Sequence, residues 1–291
     1  MLKKRLIACL IIKDNILVQS IGFNKFLPIG EPKYTIEFIS RWDVDEIVLL
    51  DISARQSKRI INLDVLRYVS KYCFVPLSVG GGISNIKDVK SILSAGADKV
   101  VVNTSFIDNP KLITEMSDNF GSQCVVASID CKKNRNKKYN VFSESGTYNT
   151  KKNPIEWAKN VQEHGAGEIL LNSIDRDGKK NGYDTDLISS VSENVDIPVI
   201  ALGGVGEFNH FALGIVDGKA SAVAAANIFH FIEHSTIMAK ANLLASGIDI
   251  RLDSEANYMG REFDEKGRLL TISSEKLKNS ELLPSKKSIL R

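Results

Sequence analysis

Continuous apolar runs recur along the chain and are separated by stretches in which apolar residues return every three or four positions. A continuous run, unlike one that alternates with polar residues, is typical of a strand buried on both faces. Residues 6–12 form the first such run. We predict eight strands: residues 6–12, 46–51, 100–102 and 123–130, and four more that begin near Pro76, Glu168, Pro198 and Ala220.

The helical spacing predicts helices between these strands. They cover residues 34–42, 62–71, 85–94, 110–119, 154–164, 184–193, 208–216 and 235–245. Residues 16–32, which contain Gly22, Pro28 and Gly30, are expected to form a long loop, of the kind that is usually functional or disordered. Residues 139–142 are expected to form a small hairpin.

The chain also repeats itself at a constant offset. Residues 76–83 return as residues 198–205, and residues 46–51 return as residues 168–173, in each case 122 positions later. A constant offset over several segments indicates a duplicated half. Eight strands with intervening helices in two equal halves predict a parallel (β/α)₈ barrel, a TIM barrel built from two half-barrels. An open doubly wound sheet is the alternative, but a duplicated unit of four strands closes more naturally.

The barrel is expected to occupy residues 1–252. Residues 253–291 carry eight basic and seven acidic side chains without a clear period, which predicts a partly ordered C-terminal extension.

Composition narrows the function classes. An apolar fraction of 43%, a charged fraction of 25% and a net charge of +3 fit a protein with a large core and favour neither nucleic acid nor a membrane as partner. The four cysteines show no paired spacing, and no metal-ligand pattern accompanies them. The run at 6–12 is far too short to span a bilayer. We expect a cytoplasmic protein without a metal or another cofactor.

Glycines and small polar residues follow the predicted strands at the end where a barrel has its active face. Gly81 and Gly82 follow the third strand, and Asn103 and Thr104 follow the fourth. The matching positions in the second half are Gly203, Gly204, Ala226 and Asn227. Backbone N–H groups at glycine turns and helix starts bind phosphate. The repeated pair predicts two phosphate sites, and tight turns without a ligand are the alternative.

Carboxylates lie near the same strand ends. Asp130 ends the predicted fifth strand and is either a catalytic general base or a hydrogen-bonded structural acid. The matching position in the first half is Ile11, so the acid that would pair with Asp130 is absent. In the loop after the sixth strand, Asp177 and Gly178 either contact the phosphorylated ligand or pair internally.

Four charged residues mark the opposite ends of the strands. Arg5, Glu46, Lys99 and Glu168 start the predicted strands one, two, four and six. Charges at a barrel floor are costly unless they pair, and two cations with two anions would neutralise one another. A structural salt-bridge ring and a polar gate across the barrel axis both fit this pattern.

Together these segments resemble HisF, the cyclase subunit of imidazole glycerol phosphate synthase. The resemblance covers roughly residues 1–252 and is nearly collinear. The segments that carry it are 5–10, 50–52, 79–83, 96–100, 120–123, 165–171, 173–178, 182–184 and 229–231.

This resemblance implies a barrel whose amino-terminal face docks on a glutaminase subunit, which is HisH in that family. Ammonia made there would pass the ring of Arg5, Glu46, Lys99 and Glu168 and travel along the barrel axis. In the family it attacks a bisphosphorylated ribulosyl intermediate, giving imidazole glycerol phosphate and an aminoimidazole nucleotide. The two phosphates would bind at the glycine sites.

The chain also departs from the family pattern. The catalytic aspartate of strand one falls on Ile11, whereas its strand-five partner is retained as Asp130. A lysine of loop one falls on Gln19, a serine before the strand-seven glycines falls on Leu202, and a phosphate-binding serine of strand eight falls on Asn227. Losing one acid–base partner costs about 10²–10⁴ in rate. The chain therefore keeps all four gate residues but only one of the two catalytic acids.

That combination resembles a divergent branch of the family found with bacterial surface-polysaccharide genes, as do segments 199–204 and 220–225. There, a glutaminase-like subunit and a HisF-like barrel supply ammonia to a separate ATP-dependent enzyme, which converts an N-acetyl group of a sugar to an acetamidino group. We therefore expect an ammonia-conducting barrel with both proteins as partners. The alternatives are a true cyclase of histidine biosynthesis and a sugar-phosphate isomerase of a related barrel family.

Overall fold

The structure, a computed structural model, describes residues 3–230 and 235–251, and the statements below concern those residues. The predicted extension, residues 253–291, lies outside them. The strands are β1 (Arg5–Lys13), β2 (Ile16–Ile21), β3 (Lys25–Gly30), β4 (Glu46–Asp51), β5 (Leu77–Gly80), β6 (Lys99–Val102), β7 (Val125–Lys133), β8 (Tyr139–Ser143), β9 (Tyr148–Asn149), β10 (Glu168–Ser173), β11 (Val199–Leu202) and β12 (Ala222–Ala225). The α-helices are α1 (Pro32–Arg41), α2 (Leu63–Ser70), α3 (Ile86–Ser94), α4 (Thr104–Asp108), α5 (Lys111–Phe120), α6 (Pro154–Glu163), α7 (Thr185–Ser192), α8 (Asn209–Val216) and α9 (Ser235–Ala245).

Eight of the strands form a closed parallel barrel in the order β1, β4, β5, β6, β7, β10, β11, β12. Arg5 of β1 pairs with Ala222 of β12, and Asp130 of β7 pairs with Asn172 of β10, so the two halves join on both sides. The predicted TIM barrel is therefore confirmed. The first strand of each half, β1 or β7, runs on into an antiparallel hairpin.

The continuous apolar runs are explained by burial on both strand faces. Leu6 and Leu10 of β1 belong to the core between the barrel and its helices, whereas Ile7 and Cys9 point into the barrel. All four are fully buried. The interior cluster comprises Ile7, Cys9, Val48, Val101, Val126, Leu170, Ile200, Leu202, Ala222 and Ala224.

Several helices begin at an asparagine. The side chains of Asn62, Asn85 and Asn153 accept hydrogen bonds from backbone N–H groups two and three residues further on. Every helix that the sequence pattern predicts is present, with ends within two residues of the expected ones, and α4 is an addition to them. Among the described residues, no helix is long and apolar enough to cross a membrane.

Residues 16–32 are not the long loop that their glycines and prolines predict. They form strands β2 and β3, which extend the sheet from β1. Asp14 and Asn15, with φ angles of 51° and 65°, make the two-residue turn into β2. Pro28 is tolerated because β3 lies at the edge of the sheet and its register with β2 is irregular. The β2–β3 hairpin is thus a structured part of the barrel sheet.

A buried ion triad fastens α9 to the floor of the barrel. Lys240 Nζ lies 3.0 Å from Oδ1 of both Asp43 and Asp45. Asp45 Oδ2 also accepts a hydrogen bond of 2.7 Å from the backbone N–H of Leu6 in β1. Lys240 is 2% exposed, so this ammonium depends on the two carboxylates, and they depend on it.

Replacing Lys240 with methionine should strongly destabilise the fold, because two buried carboxylates would lose their cation. We expect the free energy of unfolding to fall by about 3–5 kcal/mol in urea denaturation. The control is Lys219→Met, which removes an exposed ion pair with Glu193 and should cost less than about 1 kcal/mol. Equal losses in the two variants would contradict a special role for the triad.

Candidate functional site

The four charged residues at the strand starts meet in one closed ring. Arg5 Nη1 lies 2.8 Å from Glu46 Oε2, and Arg5 Nη2 lies 3.1 Å from Glu168 Oε1. Lys99 Nζ lies 3.0 Å from Glu46 Oε2 and 3.3 Å from Glu168 Oε2. Each cation therefore bridges both carboxylates. We call these four residues the charged ring.

The charged ring is sheltered from solvent. The Glu46 side chain is 2% exposed, and its second oxygen, Oε1, accepts a hydrogen bond of 2.6 Å from Ser78 Oγ. Buried charges persist only when they are paired and hydrogen-bonded, and the two positive and two negative charges here sum to zero. The ring lies at the amino-terminal end of the interior cluster, so a molecule that entered the barrel axis from this end would have to pass it.

A cavity of about 160 Å³ opens at the carboxyl-terminal end of the strands, and we call it the mouth cavity. The predicted site residues that line it are Gly81, Gly82, Asn103, Thr104, Asp130, Asp177 and Ala226. Ile11 lines the same cavity. A smaller space of about 20 Å³, the second cleft, is lined by Asp177, Gly178, Gly203, Gly204, Ala226 and Asn227. Gly81, Gly82, Asn103 and Thr104 of the first half thus line only the mouth cavity, and Gly178, Gly203, Gly204 and Asn227 of the second half line only the second cleft. Asp177 and Ala226 line both.

Asp130 is a buried carboxyl inside β7 and not at its end, because β7 continues to Lys133 alongside β8. Asn103 Nδ2 donates a hydrogen bond of 2.7 Å to Asp130 Oδ2. Burial raises the pKa of Asp130 to about 7, although hydrogen bonds from Asn103 and Asn172 oppose the rise. A carboxyl group with such a pKa can exchange a proton near neutral pH. Asp51 and Asp177 also line this cavity, but Ile11, at the position that matches Asp130 in the first half, contributes no acid.

Close packing alone requires glycine at two of the predicted phosphate positions. The φ angle of Gly82 is 69°, and a Cβ there would lie 1.8 Å from Arg59 O. The φ angle of Gly204 is 107°, and a Cβ there would lie 2.2 Å from Gly182 O. Within the described residues no protein group accepts a hydrogen bond from the backbone N–H of either glycine. Both donors are available to an anion, and phosphate binding stays a prediction.

The β2–β3 hairpin is fastened to Asp177 and Asn227, two residues that line the second cleft. Ser20 Oγ donates a hydrogen bond of 2.6 Å to Asp177 Oδ2, and the backbone N–H of Phe23 donates one of 3.2 Å to the same oxygen. Asn227 Nδ2 donates a hydrogen bond of 2.8 Å to Ser20 O. Asp177 thus pairs internally, and because it also lines both spaces, contact with a phosphorylated ligand stays a prediction.

A group of ion pairs at the rim of the mouth cavity escaped the sequence analysis. Arg55 Nε lies 2.8 Å from Glu144 Oε1, and Arg55 Nη2 lies 3.0 Å from Asp108 Oδ2. The backbone N–H of Glu144 donates a hydrogen bond of 3.1 Å to Thr104 Oγ1. Arg55 and Glu144 lie in loops outside every repeated segment, so nothing in a single sequence marks them.

Comparisons with known proteins agree with this arrangement. The model of a family described as histidine biosynthesis protein matches residues 5–235. A protein of Vibrio vulnificus strain YJ016, whose name assigns it provisionally as imidazole glycerol phosphate synthase subunit hisF2, is 45% identical over 268 residues, which are 92% of this chain and 98% of the relative. The imidazole glycerol phosphate synthase subunits HisF of the Langeland and Okra strains of Clostridium botulinum are each 47% identical over 253 residues, which are 87% of this chain and 100% of each relative.

The raised pKa of Asp130 should appear in the pH dependence of stability. Between about pH 4 and pH 7 the folded protein keeps a proton on Asp130 that the unfolded chain releases, so rising pH destabilises the fold through this residue. In Asp130→Asn this loss disappears. The stability of the variant relative to the wild type should therefore increase between about pH 5 and pH 8 in urea denaturation, with the exposed change Asp118→Asn as control. A difference that does not change with pH would contradict the raised pKa.

Proposed function

The chain belongs to the HisF family of imidazole glycerol phosphate synthase subunits, and we propose that it is the ammonia-conducting barrel of a glutamine amidotransferase complex. In this proposal a glutaminase subunit of the HisH type docks on the amino-terminal face of the barrel. Ammonia from the glutaminase crosses the charged ring, follows the barrel axis and is used at the mouth cavity or beyond it. The mouth cavity binds a phosphorylated small molecule.

One observation carries this proposal: the charged ring is complete, whereas the acid pair at the mouth is not. All four ring residues are present and mutually paired. At the other end Asp130 faces a cavity to which the matching strand contributes Ile11. A barrel that conducts ammonia needs the complete charged ring. It needs a pair of acids at the mouth only if it also performs acid–base catalysis with two residues.

The chemistry of the barrel interior supports ammonia as the cargo. Beyond the charged ring the axis is lined by aliphatic and small side chains, among them Val48, Leu170 and Ala224. Moving an ion into such surroundings is costly, whereas a small neutral molecule enters without that penalty. The interior therefore favours NH₃ over NH₄⁺ and keeps it apart from water.

An exposed aromatic face along α1 and α2, whose C-terminal ends lead into the amino-terminal ends of β4 and β5, supports a protein partner. Its residues are Tyr34, Phe38 and Trp42 on and after α1, and Tyr68, Tyr72 and Phe74 on and after α2. Tyr34, Phe38 and Phe74 are each more than half exposed. Large exposed aromatic patches mark interaction sites, and aromatic residues and arginine are enriched in protein interfaces. Arg41, which lies over the Phe74 ring at 4.9 Å, extends this face.

We further propose that the ammonia serves a third, ATP-dependent protein, which converts an N-acetyl group of a surface-polysaccharide sugar to an acetamidino group. The loss of catalytic and phosphate-binding side chains at Ile11, Gln19 and Leu202 supports this use. A barrel that hands ammonia on to another enzyme does not itself need those groups.

The second candidate is a true cyclase of histidine biosynthesis. It is favoured by the Asp130 carboxyl, whose pKa of about 7 suits acid–base catalysis by a single residue, and by the names of the Clostridium botulinum relatives. The two candidates differ in whether the barrel alone turns over the ribulosyl intermediate.

Lys99→Met should uncouple product formation from glutamine hydrolysis in the complex. Removing this ammonium leaves Glu46 and Glu168 with Arg5 alone and opens one side of the ring. We expect product formation from glutamine to fall at least about tenfold relative to glutamine hydrolysis, while activity with external ammonium is kept. The control Lys219→Met should leave the ratio unchanged. A ring with a purely structural role would instead show lower stability of Lys99→Met with normal coupling.

The isolated barrel should not turn over the ribulosyl bisphosphate intermediate with saturating ammonium. At a high concentration of the intermediate, Ile11→Asp should bring measurable turnover, because it restores an acid opposite Asp130, whereas Ile11→Asn should not. Wild-type turnover on the order of 1 s⁻¹, within the ordinary range of enzymes, would instead establish the cyclase alternative.

A further inference from the structure

The charged ring holds its two glutamates unequally. We infer that the ring opens at Glu168, while Ser78 fixes Glu46 in place as a positioning residue. Ammonia then passes on the Glu168 side of the barrel axis. This inference rests on the proposed function, in which ammonia crosses the charged ring, and it specifies which side chain moves to let the ammonia through.

Glu46 is held through both of its carboxylate oxygens. Its Oε1 accepts a hydrogen bond of 2.6 Å from Ser78 Oγ and one of 3.2 Å from Lys99 Nζ. Its Oε2 lies 2.8 Å from Arg5 Nη1 and 3.0 Å from Lys99 Nζ. Ser78 is fully buried, so water does not compete for its bond to the carboxylate. Hydrogen bonds to ionised groups are strong, and this one holds the Glu46 side chain in one position.

Among the residues that the structure describes, only the two cations of the ring bind the Glu168 carboxylate. Its Oε2 lies 3.3 Å from Lys99 Nζ and 3.5 Å from Arg5 Nη1, and its Oε1 lies 3.1 Å from Arg5 Nη2. For each cation, the shortest contact to Glu168 is longer than the shortest contact to Glu46. Glu168 is therefore the more weakly held of the two glutamates.

Solvent exposure differs in the same sense. The Glu168 side chain is 14% exposed, against 2% for that of Glu46. Moving a carboxylate away from its partners costs least where water can replace them. Glu168 can therefore leave the ring toward solvent. Displacement of Glu46 would instead leave the buried Ser78 hydroxyl without its acceptor.

The internal repeat shows where this inequality comes from. Glu46 and Glu168 occupy matching positions, 122 residues apart, and so do Ser78 and Ile200. Strands β4 and β5 pair in the same register as β10 and β11, so Ile200 stands beside Glu168 as Ser78 stands beside Glu46. Isoleucine has no hydroxyl to donate. The difference between the two glutamates thus follows from one side chain in each half.

Departure of Glu168 opens a path and keeps the other three charges of the ring in contact. Arg5 and Lys99 both still bind Glu46. The Lys99 ammonium has three N–H donors, and the one released by Glu168 can donate to the lone pair of ammonia. Further along the axis, β10 and β11 line the interior cluster with aliphatic side chains. Neutral ammonia moves on past these side chains without a charge that needs a partner.

Side-chain motion measured by NMR tests the inequality on the chain alone. With ¹³C-labelled glutamate, the Glu168 side chain should show a lower order parameter or a larger exchange contribution than that of Glu46. In Ser78→Ala, the Glu46 side chain should become as mobile as that of Glu168. In Ser78→Thr, which keeps the hydroxyl, it should stay as rigid as in the wild type. Equal motion of the two glutamates in the wild type would overturn the inference, and so would an unchanged Glu46 in Ser78→Ala.

A matched pair of variants gives the other glutamate a hydroxyl. Ile200→Thr places a donor beside Glu168, whereas Ile200→Val has nearly the same shape as the threonine variant and no donor. The threonine should hold Glu168 as Ser78 holds Glu46 and keep the ring closed. Relative to glutamine hydrolysis, we expect Ile200→Thr to form product from glutamine at least about fivefold more slowly than Ile200→Val. Activity with external ammonium should be the same in both variants.

Equal coupling in the two Ile200 variants, when circular dichroism shows that both are folded, would contradict opening at Glu168. The proposed function fails separately. Normal coupling in Lys99→Met would remove the ammonia path, while the NMR comparison needs no glutaminase and still decides whether Ser78 fixes Glu46. Loss of coupling in Lys99→Met together with equal motion of the two glutamates would keep the ammonia path and overturn this inference.

Discussion

Burial of every barrel strand on both faces is the constraint on which the rest of the structure depends. Ile7 of β1 lies inside the barrel and Leu6 lies beneath the helices, so neither face accepts a charge without a partner. Ionised groups are therefore confined to the two ends of the barrel. At the amino-terminal end they cancel within the charged ring. At the other end the Asp130 carboxyl is held by Asn103, and its pKa rises because the cavity is poorly solvated.

The duplicated halves have the same arrangement of strands, but their hairpins make different side-chain contacts. Both β1 and β7 run on into antiparallel hairpins at the mouth. The first hairpin is bound down by Asp177 and Asn227, and its residues Ser20, Phe23 and Phe26 line the mouth cavity. The turn after β8 is held at the rim by Arg55 and leaves the mouth cavity open. A symmetric origin has thus produced an asymmetric site, since each hairpin meets different side chains.

The two ends of the barrel differ in how complete their sets of charged residues are. The charged ring needs four side chains at one level of the barrel, and all four are there. At the mouth, Asp130 is present, but the matching position of the other half holds Ile11 and not a second acid. The proposed ammonia pathway requires the ring and no second acid at the mouth, whereas acid–base catalysis by a pair of residues requires that second acid.

The sequence by itself determined the barrel, its two halves and nearly all of its helices. Continuous apolar runs and helical spacing are local patterns, and the repeat at 122 residues presents each of them twice. It also assigned charged and glycine-rich positions to the correct barrel ends, because parallel strands all run in one direction. The β2–β3 hairpin escaped it, since Pro28 and Gly30 indicate a loop until their pairing with β2 is known. Only the tertiary structure decided which residues meet at each end, as Arg55 does with Glu144 across 89 positions. Contacts between residues so far apart leave no local pattern in a single chain, because they are selected by the closure of the barrel.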